Sequence, residues 1–291
     1  MGIHHHHHNH ETSEMSEKKL RWAVMANVLL TVGQIVGGVV SGSLSLVADA
    51  IHNLSDAASL YIAMFAERIG RKPADQQKTF GYKRAGTIAA LINLTTLILI
   101  GVFLCYEAVL RFINPSPIAG WIVIWVAGLA LAVDLFTAYL TYRSSKDSMN
   151  IRAAFLHNLA DAAASVGVII SGTLILLYGW LWVDPLMTII IAAYILWHGV
   201  SEMPNVIHLL MEGAPEGVKI DALVERLEKV SGVGRVYHVH VWKIEEHRNA
   251  LEAHVVISRD QDMEAIKFEL KKILDEDFGI CHSTLEFEWQ S

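Results

Sequence analysis

Two cysteines in 291 residues, Cys105 inside an apolar run and Cys281 near the end, are too few for a disulfide framework and suggest no redox role. Charge is also scarce. Asp, Glu, Lys and Arg make up 18% of the chain, and the formal net charge of −7 comes without any cluster of Lys and Arg, which excludes nucleic acid as a partner. The opening MGIHHHHHNH lacks the basic start, long apolar run and small-residue cleavage site of a signal peptide; it reads as an expression tag preceding Met15 or as a natural His-rich, metal-collecting tail. What the chain has in excess is apolar surface: 53% of its residues are hydrophobic, above the usual range of a soluble protein. These residues fill most of 22–211 and thin out over 213–291, where Lys, Glu and Asp become frequent. The pattern implies a membrane part followed by a soluble tail.

A bilayer core about 30 Å thick requires roughly 20 apolar residues per helix. Six runs meet that need, approximately 22–41, 44–66, 85–111, 118–142, 151–178 and 182–208, separated by turn signals at Ser41–Ser43, Ile113–Pro117 and Tyr178–Trp180. Trp121, Trp180 and Trp182 lie at run ends, where an interfacial aromatic belt forms. Lys18, Lys19 and Arg21 precede the first run, Arg68 to Arg84 fill the second-to-third loop, and Arg143, Lys146 and Arg152 flank the fourth-to-fifth; Arg111 is the nearest exception among the other loops. Basic residues stay on the cytoplasmic side, so both termini are expected there, with the protein multi-pass in the cell (inner) membrane. The expected divisions are a His-rich tail or tag (1–17), a six-helix transmembrane domain (18–211) and a cytoplasmic metal-binding and dimerisation domain (212–291). In the last of these, VKIDALVERLEKV, RVYHVHVWKI, ALEAHVVIS, MEAIKFELKKILDEDF and STLEFEW read as α-β-β-α-β, a small sheet with helices on one face.

Within the second run stands HNLSDAAS, and within the fifth its near-copy HNLADAAAS. At about 100° per residue, His52 and Asp56 fall about 40° apart on one helix face, and His157 and Asp161 repeat the arrangement. Asp49 lies about 20° from Asp56, two turns away, as a possible part of an ion path. A lone intramembrane histidine is more often a packing residue. A carboxylate at a helix centre, however, costs at least ~2.5 kcal/mol, and repetition of so costly an arrangement points to function. Two imidazoles and two carboxylates form a four-coordinate nitrogen and oxygen set suited to Zn²⁺. These ligands bind metal only when deprotonated, so metal and protons compete for one site. The small residues after each aspartate, Ala57, Ala58 and Ser59 and then Ala162, Ala163 and Ala164, would let the two helices approach closely. Asn27, Gln34, Asn93 and Asp134 are expected to bond neighbouring helices.

In SGSLSLVADAIHNLSD, RKPADQQKTFGYKRAG, NIRAAFLHNLADAAASVGVIISG, GWLWVDPL and HVHVWKI the chain resembles the cation diffusion facilitator family, in its zinc-transporter branch. The resemblance covers nearly everything after the His-rich start. It implies a homodimeric antiporter with six transmembrane helices and a cytoplasmic, metallochaperone-like αββαβ domain, exchanging cytoplasmic Zn²⁺ for protons across the lipid bilayer by alternating access. It assigns the transport site to His52, Asp56, His157 and Asp161, and cytoplasmic metal binding to His238, His254, His282 and Glu288, with His240 as a possible addition. Histidine at the first transport position implies a preference for zinc over cadmium. Two features bear on finer detail: the loop ADQQKTFGYKRAG has no histidine, so the extra loop metal site of some relatives is not expected, and Arg84 and Glu212 match a possible hinge ion pair.

Other assignments are weaker. An intramembrane zinc protease needs a signature such as HExxH, which HNLSD and HNLAD do not supply; the chain is therefore not expected to be an enzyme. A membrane-anchored metal sensor leaves the repeated ionisable residues unexplained. An exporter of Co²⁺, Fe²⁺, Mn²⁺ or Cd²⁺ is the nearer alternative, because affinity alone does not exclude those ions.

Overall fold

A computed structural model describes residues 28–142, 149–245 and 248–290. Asn27, His247, the His-rich start and the basic residues Lys18, Lys19, Arg21, Arg143 and Lys146 lie outside the described residues. The chain divides into two compact units, one of residues up to Tyr61 with Asn93–Ser201, the other of Ile62–Ile92 with Glu202–Ser291. The second unit thus takes in the ends of long helices as well as the polar tail, a partition that the composition change near residue 212 does not reveal.

Among the described residues, six helices precede the tail: α1 (Val28–Ser41), α2 (Leu44–Gly70), α3 (Ala85–Ile113), α4 (Gly120–Tyr142), α5 (Met149–Tyr178) and α6 (Val183–Leu210). Those of the third to sixth runs are long and apolar enough to cross a bilayer by length and composition alone. The 27-residue α2 is not among them, although its length would span the hydrocarbon layer, because Asp49, His52, Asp56, Glu67 and Arg68 lower its apolar character. The interior is built from Leu46, Leu104, Val123, Val168 and Ile195. Outward-facing apolar side chains such as Leu99, Trp125, Tyr139 and Trp197 are exposed, which suits a lipid environment. Close helix approach depends on glycine: a Cβ on Gly120 of α4 would lie 2.6 Å from the Gly172 carbonyl oxygen of α5. The alanines after the two aspartates are divided, with Ala162 buried but Ala58 and Ala163 exposed, so they do not form the continuous contact seam expected of them.

The tail consists of α7 (Ile220–Glu228), β1 (Val233–Glu245), β2 (Arg248–Ile257), α8 (Met263–Phe278) and β3 (His282–Trp289). β1 pairs antiparallel with β2, and β3 joins the other edge of β2 in parallel after the α8 crossover. Leu251, Ala253, Val255 and Ile257 alternate inward from β2 onto Leu223 and Leu227 of α7 and Leu270 and Leu274 of α8. Asp262 caps α8 by accepting from the Glu264 and Ala265 amides, and Gly279 ends it at φ 64. The strand β1 departs from strict alternation. Its register slips between Tyr237 and His240, and His238 adopts φ 53, the signature of a bulge.

Candidate metal sites

On α2, helical spacing carries His52 and Asp56 to one face; α5 presents His157 and Asp161 likewise. The four side chains meet. His52 Nε2 lies 3.6 Å from Asp56 Oδ2 and 3.6 Å from Asp161 Oδ1, while His157 Nε2 lies 3.3 Å from Asp56 Oδ2 and 3.5 Å from Asp161 Oδ2. Donor atoms of His52, Asp56 and Asp161 all fall within 4.8 Å of one another. A tetrahedral ion with bonds of about 2.0–2.2 Å has ligand-to-ligand edges of about 3.3–3.6 Å, matching these distances. Charge-assisted hydrogen bonds would instead close to about 2.7–2.9 Å. Both ring nitrogens of His52 and Asp56 Oδ2 are buried and without a hydrogen-bond partner among the described residues.

The cluster is open on one side. The His52 and Asp161 side chains are 7% and 9% exposed, against 34% for Asp56 and 44% for His157. Tyr194 of α6 stands edge-on to His52, its ring centroid 6.0 Å away. Behind the buried side, Gln34 Nε2 donates to Asp49 Oδ2 at 2.7 Å, and Asn53 Nδ2 donates to Gln34 Oε1 at 3.2 Å. Asp49 Oδ1 is left buried without a hydrogen-bond partner among the described residues. Asp134 of α4 accepts from Ser165 of α5 at 3.3 Å, and Asn93 of α3 meets Ser59 of α2 at 2.6 Å. Gln34, Asn93 and Asp134 therefore bond neighbouring helices.

The tail holds a second cluster on the sheet face away from α7 and α8. His254 Nδ1 bonds Glu288 Oε1 at 2.8 Å, and its Nε2 lies 3.6 Å from Glu286 Oε2. Tyr237 donates to the Glu288 carboxylate at 2.8 Å. The bulge turns both Tyr237 and His238 toward His254, each ring centroid 5.2 Å from it, and the His240 ring lies 4.7 Å from that of His238. The hydrogen bond from Glu288, aided by the nearby Glu286 charge, raises the His254 pKa above its ordinary 6.5; the same bond and that from Tyr237 lower Glu288 below 4.5. His282 is a correction to the expected set. It begins β3 opposite Ala250, six residues before Glu288 and so about 20 Å along the strand. Its ring packs against Phe80 at 6.2 Å instead. Glu286 takes the place on the cluster; its period-two relation to Glu288 was the available signal, hidden until β2 and β3 were known to pair in parallel.

Arg84 Nη2 and Glu212 Oε1 pair at 3.0 Å on an exposed surface. The loop between α2 and α3 is ordered by Asp75, which accepts from the Gln77 and Lys78 amides and the Tyr82 hydroxyl. With no histidine in this loop, no metal-competent group forms there among the described residues.

Long apolar helices with a buried nitrogen and oxygen cluster, followed by a polar α/β domain, define a multi-pass membrane protein equipped to handle metal cations. Residues 20–211 match the family model described as the cation efflux transmembrane domain, and residues 215–289 match that of the cation efflux protein cytoplasmic domain. The chain belongs to the cation efflux, or cation diffusion facilitator, family of divalent metal efflux transporters, and is not an enzyme. It is 37% identical to the "cadmium, cobalt and zinc/H(+)-K(+) antiporter" of Bacillus subtilis (strain 168), covering 89% of this chain and 84% of that one. It is 35% identical to the "zinc transporter ZitB" of Pectobacterium atrosepticum (96% and 88% covered). Identity to the "metal cation efflux system protein CzcD" of Cupriavidus metallidurans is 32% (94% and 87% covered).

Proposed function

We propose that the protein is a Zn²⁺/H⁺ antiporter of the inner membrane that exports cytoplasmic zinc by alternating access through His52, Asp56, His157 and Asp161. The four nitrogen-to-oxygen edges of 3.3–3.6 Å carry this proposal, because they suit a dehydrated tetrahedral cation better than hydrogen-bonded side chains. Substrate Zn²⁺ enters from the exposed Asp56 and His157 side and exchanges its water for two imidazoles and two carboxylates. Protons arriving from the opposite side neutralise the carboxylates and occupy the imidazoles, which releases the metal. Asp49 lies on the ion path behind the site. Residues 18–211 form the transmembrane domain with both chain ends cytoplasmic. Residues 212–291 bind metal at His254, Glu286 and Glu288, with His238 and His240 beside them, and dimerise; Arg84 and Glu212 pair at the hinge.

The test is flux in proteoliposomes under an imposed pH gradient. Zn²⁺ transport driven by the gradient and lost in Asp161→Ala is expected; flux that survives the substitution or ignores the gradient overturns the mechanism. Export of Cd²⁺ or Co²⁺ is the second possibility, favoured by the substrates in the name of the Bacillus relative. Competition among Zn²⁺, Cd²⁺, Co²⁺, Fe²⁺ and Mn²⁺ in the same assay decides it.

A further inference from the structure

Asp184, in the first turn of α6, is fully buried and contributes nothing to either metal cluster. Its carboxylate is crowded with donors from the start of α2. Oδ1 accepts from the Ser43 hydroxyl at 2.6 Å, the Ser45 hydroxyl at 2.7 Å and the Ser45 amide at 3.3 Å; Oδ2 accepts from the Leu44 amide at 2.8 Å. The Leu46 amide in turn donates to Ser43 Oγ at 3.2 Å, and the Val47 amide to the Ser43 carbonyl at 3.4 Å. A helix start normally leaves four amides needing partners, usually met by a side chain just before the helix. Here two of the four are met by a carboxylate delivered from another helix.

The same turn is fastened from two more directions. Arg111, at the end of α3, donates to the Gly42 carbonyl at 2.7 Å, and the Ala119 amide before α4 donates to the Ser41 carbonyl at 2.8 Å. Gly42, at φ 74, packs so tightly that an added Cβ would lie 2.8 Å from the Pro117 carbonyl oxygen. Segments from α3, α4 and α6 thus converge on one turn. Eight residues separate Leu44 from His52, about 12 Å of helix, and the turn lies on the His52 side of the metal cluster, away from exposed Asp56.

We propose that Asp184 is a positioning residue for transport: by capping α2 from α6 it closes the far end of the metal path, and it must release Ser43, Leu44 and Ser45 for metal to leave there. A carboxylate suits this role because its hydrogen bonds with the α2 amides and hydroxyls hold it firmly, yet they are few enough to break together. The inference rests on the transport function proposed above.

The test uses the full chain in proteoliposomes, with Leu46→Cys introduced into a Cys105→Ser, Cys281→Ser background. Leu46 is fully buried one turn beyond the cap. A membrane-impermeant maleimide applied from the α2 N-terminal side should label Leu46→Cys slowly. In Asp184→Asn, and independently in the Ser43→Ala, Ser45→Ala double variant, labelling should be about tenfold faster, an effect within reach of one charge-assisted hydrogen bond. Maximal Zn²⁺ flux should fall, while Zn²⁺ bound per chain stays at the parental value. Unchanged labelling and flux in the double-serine variant overturn the inference, as does loss of bound Zn²⁺ in both variants, which would mark a purely structural role. If the parent shows no gradient-driven flux, the transport proposal fails instead.

Discussion

The two acidic and imidazole clusters have similar donors but opposite degrees of internal satisfaction. In the membrane cluster the separations stay at 3.3–3.6 Å, and the ring nitrogens of His52 have no hydrogen-bond partner among the described residues. In the tail, His254 and Tyr237 close on Glu288 at 2.8 Å. Helices packed through glycine cannot shift side chains together cheaply, so unpaired polarity is retained where an ion can use it. Exposed strands let their side chains relax, and there a metal must displace existing hydrogen bonds and a proton.

The sharpest break in this comparison is removal of one ligand from each cluster. Asp161→Ala should lower Zn²⁺ flux more than about 100-fold, beyond the 10–100-fold cost of losing even an outer partner of a metal ligand. His254→Ala should remove bound metal from the tail, measured as metal per full-length chain, and leave flux within several-fold. Equal losses from both substitutions would show the clusters to be one functional unit. A smaller effect is expected on ion choice: His52→Asp replaces a nitrogen donor by oxygen and should raise Mn²⁺ or Cd²⁺ flux relative to Zn²⁺ a few-fold in a competition assay.

The pH response should separate the clusters further. Because the His254 pKa is raised, the stabilisation from its pairing is fully present below 6.5 and is lost as pH rises through the folded value. Because the Glu288 pKa is lowered, its contribution is present above 4.5 and is lost as pH falls through the folded value. Without metal the pair therefore stabilises the tail most between those limits. Metal requires His254 to lose its proton, so metal binding by the tail should strengthen above pH 6.5, and Tyr237→Phe, by freeing Glu288, should alter that profile; titration of the full chain with Asp161→Ala present checks both. The smallest effect is expected at Arg84 and Glu212. Their exposed pair should couple by about 1 kcal/mol or less in a double charge-swap cycle. Charge reversal at either position that leaves transport intact would remove the proposed hinge role.

Much of this organisation was legible in the sequence. The apolar runs, the αββαβ order of the tail and the four membrane donors all follow from periodicity, since residues four apart on a helix share a face regardless of what packs against it. The tail ligands were less accessible. His238 and His240 suggested a shared strand face, but the φ 53 bulge added Tyr237 to it, and the parallel β2–β3 register brought Glu286 in while leaving His282 far along the strand. Asp184 gave only a faint signal, a carboxylate in VDPL and serines in SGSLS separated by about 140 positions.

The sequence by itself determined the class of protein, because burying a repeated His and Asp pair in apolar helices costs too much energy to serve packing alone. Only the tertiary structure decided which donors meet at metal-like spacing, which side of the cluster is open, and which helix start depends on a carboxylate from elsewhere. Those are relations between elements distant in the chain, fixed by helix packing and strand register, and no local pattern encodes them.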